Sequence, residues 1–102
     1  NITDGYNDIG QVNEDFFKED SEKKLYELYK DINFKVNNSL LLKDYSSVIR
    51  NLLEFSIPLE NFFTKVLVMD KEPYKTNRIA LLKTLRELFF KFADFSKLVI
   101  QK

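Results

Sequence analysis

The stretch from Asn77 to Leu98, NRIALLKTLRELFFKFADFSKL, restricts this chain more than any other feature. Apolar residues recur through it at helical spacing, and neither Gly nor Pro interrupts it. A helix this long cannot shield its own apolar stripe, so the rest of the chain must supply helices to cover it. The sequence offers three. Leu25, Leu28, Tyr29, Ile32 and Val36 follow an amphipathic period that Asp20 or Ser21 can cap. Phe16 and Phe17 are placed to tuck beneath that helix. NNSLLLKD reads as a turn, after which Asp44 caps a second helix with Tyr45, Val48, Ile49, Leu52 and Leu53 on its apolar face. Pro58 suits the first turn of a third helix, which Leu59, Phe62, Phe63, Val66 and Leu67 mark as buried. VLVM could form a strand in isolation, but no partner strand accompanies it. Asp70 and Pro73 signal the start of the last helix, which the pattern ends near Ala93. The expectation is an all-α helical bundle of about four helices with short loops over residues 16–102, preceded by an arm over residues 1–15. The absence of an initiator Met makes a fragment or processed product the expectation.

Composition narrows the chemistry. The 102 residues include no Cys and no His, which removes thiolate chemistry, disulfides, and the commonest general base and metal ligand. Catalysis would need a carboxylate pair on an apolar wall, and no such pair is legible, so neither catalytic residues nor a metal site are expected. No apolar run approaches the roughly 20 residues that span a membrane, and no basic-then-apolar leader opens the chain. The net charge of zero conceals a division. Residues 1–60 carry 12 acidic and 7 basic groups, a net of −5, and residues 61–102 carry 4 and 9, a net of +5. A basic half can attract phosphate even when the total charge is zero.

A helical wheel of the last helix sharpens this. At roughly 100° per residue, Arg78, Leu81, Leu82, Leu85, Leu88, Phe89 and Phe92 share one arc, the expected core face. Lys75, Ile79, Lys83, Arg86 and Phe90 form a second arc beside it, and Ala80, Thr84, Glu87 and Lys91 form the expected solvated back. Cations that track phosphate, interleaved with an aromatic face that can stack a base, suit single-stranded RNA. The competing reading packs Ile79 and Phe90 on a protein neighbour, which would make the chain a helical interaction module. Arg78 lies inside the core arc, where the readings are a clamp to a carboxylate such as Asp94 or to helix-end carbonyls, and a contact to a nucleic-acid phosphate or base.

The ordered elements IPLENFFTKVLVM and NRIALLKTLRELFFKFADFSKL carry a resemblance. Pro58, Phe62-Phe63, Val66, Val68-Met69, Asn77-Arg78, Leu81-Leu82, Leu85-Arg86, Phe89, Ala93-Asp94 and Ser96 resemble the C-terminal anticodon-binding domain, of DALR type, of bacterial glycyl-tRNA synthetase β subunits. VNEDFFKEDSEKKLYE fits the loop and helix start that precede them, and Asn1-Ile2 looks like the remnant of a preceding helix. The chain departs from the pattern in its VIQK extension and in Phe90, Phe92 and Phe95, where smaller aliphatics are commoner. The resemblance implies a non-catalytic, cytoplasmic piece of an ATP-dependent ligase that grips the anticodon arm of glycine tRNA, with no role for DNA or membrane. It also implies an α2β2 parent whose α subunit uses ATP and Mg, so that no cofactor belongs to this piece. Asn77, Arg78 and Arg86 come from the shared motif, while Lys75, Lys83 and Phe90 come from the wheel. Together they are the candidate RNA-binding residues.

Overall fold

A computed structural model describes residues 11–66 and 70–100, with side chains through Phe92. Residues 1–10 of the expected arm, Leu67, Val68 and Met69, and the side chain of the expected clamp partner Asp94 all lie outside what is described. Among the described residues there are four α-helices and a short 3-10 turn at Glu14–Phe16, with no strand. The helices are α1 (Asp20–Leu41), α2 (Tyr45–Leu53), α3 (Ser56–Lys65) and α4 (Tyr74–Ile100).

The start of α1 differs from the expectation. Glu19, and neither Asp20 nor Ser21, occupies the cap position. The Glu22 carboxylate reaches back to accept from the backbone N–H of Glu19 at 2.7 Å and of Lys18 at 3.0 Å. It thereby satisfies donors that a helix start leaves unpaired. The helix also continues to Leu41, through the first five residues of the expected turn NNSLLLKD. Its stop is a left-handed residue, Lys43 at φ 56°, flanked by two closing bonds. Lys43 N–H donates to Leu40 O at 3.1 Å, and Asp44 N–H donates to Ser39 O at 2.8 Å. This pair of bonds is a Schellman motif, which normally uses Gly at the left-handed position. Asp44 then begins α2 as expected, accepting from the Ser47 backbone N–H at 3.2 Å and from its hydroxyl at 2.6 Å.

Only part of each predicted apolar face is covered. In α1, Leu25, Ile32, Val36 and Leu40 are buried, while Leu28 and Tyr29 are half-buried. In α2, Val48 and Leu52 are buried but Ile49 and Leu53 are exposed. In α3, Phe62 is buried and Phe63 is exposed, so the helix is not buried throughout. Pro58 falls in the first turn of α3. Phe17 packs edge-on to Tyr26 with ring centroids 5.7 Å apart, whereas Phe16 is 38% exposed. Each fully buried Leu, Ile or Phe contributes about 1.5–3 kcal/mol relative to exposure.

The first and last helices lie side by side and run parallel. Glu22 near the start of α1 meets Arg78 near the start of α4. Further on, Lys91 Nζ donates to Asn33 at 3.2 Å and Asn37 at 3.4 Å. This arrangement fixes which sides of α4 remain open.

Candidate nucleic-acid interface

The α4 helix begins under the control of a carboxylate. Glu72 accepts from the Thr76 backbone N–H at 2.9 Å and also from its hydroxyl. Beyond it, Asn77, Arg78, Ile79, Ala80 and Leu81 are all buried. Two wheel assignments are thereby corrected: Ile79 belongs to the core and not to the second arc, and Ala80 is not on a solvated back. Packing on several sides at once covers this turn. Val12 rests on the core, and Asn13 N–H donates to Asn77 Oδ1 at 2.7 Å.

The six candidate residues divide into two groups. Asn77 is only 4% exposed, with its amide oxygen engaged by Asn13 and its amide nitrogen buried without a partner among the described residues. Arg78 is 1% exposed and forms a clamp. Its Nε donates to Glu22 Oε1 at 3.0 Å, a second nitrogen to Glu22 Oε2 at 3.3 Å, and a third to Asp70 Oδ2 at 3.2 Å. Its guanidinium also lies 5.7 Å from the Tyr74 ring centroid, and Lys18 Nζ lies 5.1 Å from the same ring. Burial opposes the Arg78 charge, but the hydrogen bonds and charges of Glu22 and Asp70 outweigh it and raise the pKa. Asp70 is held below the usual carboxylate range chiefly by the Lys71 N–H, against partial desolvation, with Lys18 and Arg78 assisting. The group has the geometry of a structural clamp joining α1, α4 and the segment between α3 and α4.

The second group faces outward. Lys83, Arg86 and Phe90 follow one another at i, i+3 and i+7, which keeps them along one side of the helix. Lys83 and Arg86 are half-buried and Phe90 is 51% exposed. The Arg86 guanidinium lies 5.1 Å from the Phe90 ring centroid. Lys75 is half-buried one turn before the clamp. The seam therefore consists of Lys83, Arg86 and Phe90, without Ile79, whose burial also removes the proposed Ile79/Phe90 protein-binding face. An aromatic ring joined to a guanidinium offers two planes on which an unstacked base can lie, and the cations can hold adjoining phosphates.

Sequence reasoning missed Glu22 as the clamp partner. The signal was present, because Glu22 stands three residues before Leu25 on the apolar stripe of α1, as Arg78 stands three before Leu81 on α4. Lys91 is exposed, as expected of the solvated back, and also bridges to α1. A cavity of about 340 Å³ between the start of α1 and α3 is lined by both acids and bases, Glu19, Asp20, Lys24 and Lys65 among them. Such a mixture does not select phosphate. Among the described residues, no cluster of three or more acidic, His or Cys side chains could hold a metal, and no helix is long and apolar enough to cross a membrane.

The described residues form an all-helical domain with a basic and aromatic seam along its last helix. The chain belongs to the DALR anticodon binding domain family, which it matches over residues 3–94. It is similar to the glycine–tRNA ligase β subunit of Rickettsia felis, with 40% identity over 100 residues that cover 96% of this chain and 15% of the relative. The corresponding subunit of Colwellia psychrerythraea is 38% identical over 84% of this chain and 13% of the relative. That of Clostridioides difficile is 37% identical over 87% and 13%. The chain thus spans only about a seventh of the length of these relatives. No solved structure matches it.

Proposed function

We propose that this chain is the anticodon-binding part of a glycine–tRNA ligase β subunit and that it grips the anticodon arm of glycine tRNA. Two findings support the reading: the family match over residues 3–94 and the Lys83–Arg86–Phe90 seam. Its work is discrimination. Cations on α4 hold the backbone, which sets register, while exposed base edges and faces are read beside them. Lys75, Lys83, Arg86 and Phe90 serve as the contact residues. Asn77 and Arg78 support the helix that carries them, since buried groups offer no surface to a macromolecule. Glycine activation with ATP and Mg takes place elsewhere, on an α subunit of the cytoplasmic parent enzyme.

The test is a titration with a glycine-tRNA anticodon stem-loop at low and moderate salt, beside a loop of altered anticodon. Binding that weakens steeply with salt and falls for the altered loop is expected. Equal affinity for both loops would overturn anticodon readout by this domain.

A further inference from the structure

On a different flank of α4 the chemistry changes. Phe89 and Phe92 project from the helix about 120° or more around it from Lys83. With Ile49, Leu53, Phe55 and Leu59 of the α2–α3 region they line a groove of about 320 Å³. Phe55 and Phe89 close its floor with ring centroids 5.7 Å apart. Among the described residues its one polar lining residue is Ser56, and no charged side chain contributes. The rim stays open: Ile49 is 47% exposed, Leu53 is 63% exposed, and neighbouring Ile57 is 69% exposed.

Contiguous apolar surface of this kind marks a place where another apolar surface belongs. RNA is a poor occupant, because no described residue of the lining neutralises phosphate. The related subunits contain several times more chain than these residues. That length supplies a tethered occupant, and tethering decides the matter energetically. A stable complex between free proteins buries about 1,200–2,000 Å² in total, far more than so small a groove offers. A segment of the same polypeptide meets the groove at an effective concentration in the millimolar range, so a modest contact is enough.

We propose that the groove between α2, α3 and α4 docks the apolar face of a helix from the rest of the same β subunit. This rests on the chain being part of such a subunit. Docking on the Phe89 side of α4 holds the helix in one orientation and leaves the Lys83–Phe90 side outward.

The experiment compares backbone hydrogen exchange in this chain alone with exchange in the complete β subunit that carries it. Amides of α2 and α3 are expected to exchange at least tenfold more slowly in the complete subunit. The double substitution I49E/L53E in the complete subunit should abolish that difference. Both residues are exposed, so the same substitutions in the chain alone should leave its helical circular dichroism and stem-loop affinity unchanged. Equal exchange in the two forms, or slowing that survives the double substitution, would overturn the proposal. So would a dimer of the chain alone, seen by light scattering and dissolved by I49E/L53E, because the occupant would then be a second copy. None of these readouts depends on RNA, so failure of anticodon readout remains a separate result.

Discussion

Two stretches of one helix use similar residues for different ends. The turn from Asn77 to Leu81 is buried throughout, and its cation is held by two carboxylates. From Lys83 to Phe90 the cations stay near the surface, one of them against an exposed ring. Composition does not separate the two stretches. What separates them is whether another part of the chain crosses above. Where Asn13 and the Asp70 segment do so, Arg becomes a buried strut; where they do not, Arg is half-buried and lies against an exposed ring.

That contrast can be broken most severely at Glu22. Glu22→Ala leaves the Arg78 charge buried with its main partner gone, and should cost about 3–5 kcal/mol in urea unfolding. Replacing both partners with apolar residues, Glu22→Leu with Arg78→Met, should recover most of that loss. If the single substitution costs under about 1 kcal/mol, the clamp is not a strut.

In the open stretch the expected effect moves from stability to binding. Arg86→Glu gives up the contact with Phe90 and should cost about 1 kcal/mol in unfolding, far less than Glu22→Ala. It should weaken stem-loop binding about tenfold, or 1.4 kcal/mol, at low salt. Glu27→Lys on α1 is the control and should change binding far less. Equal effects of the two in a titration would remove α4 from the RNA surface.

A smaller effect belongs to the Lys43 turn. Lys43→Gly relieves a side chain held at φ 56° and should stabilise the fold by about 1 kcal/mol, raising the thermal midpoint by several degrees. An unchanged or lower midpoint would mean that the left-handed turn is not a liability here.

The smallest effect concerns acid. The Asp70 carboxyl is held below its ordinary range when folded, so its contribution is complete above the unfolded-state value of about 4. It is lost as pH falls through the lower folded value. Thermal midpoints measured against pH should therefore fall less steeply below about pH 4 in Asp70→Asn than in the parent chain. Identical slopes would show that Asp70 adds nothing measurable to the clamp.

Much of this was legible in the sequence, and the misses share a cause. Periodicity gave the four helices and the long α4, because a repeating apolar stripe records which side of a helix is covered. It also set Lys83, Arg86 and Phe90 along one side of α4, which the spacing of the described helix repeats; their contact with RNA is a proposal. It could not place Ile79, since burial at the start of α4 comes from chain that crosses over it, and a wheel describes one helix alone. The same holds for Asn77, whose partner is the backbone of Asn13, 64 positions away. The end of α1 was hidden for a local reason. A Schellman stop is visible as Gly, but here Lys43 takes the left-handed position. Exposure of Ile49, Leu53 and Phe63 was hidden because an apolar face shows only that covering is favourable, and another part of a longer polypeptide can provide it.

The parallel course of α1 and α4 has an electrostatic consequence. Every helix carries a dipole equivalent to about half a positive charge at its N-terminus. Antiparallel neighbours cancel these fields, whereas parallel neighbours add them, and the Glu22–Arg78 contact shows that both starts lie at the same end. Glu19, Asp20 and Glu22 stand at one start, and Asp70 and Glu72 at the other. The carboxylates offset a repulsion that the topology itself creates. Part of the acidic bias in the first 60 residues therefore answers to the chain's own backbone and needs no outside partner.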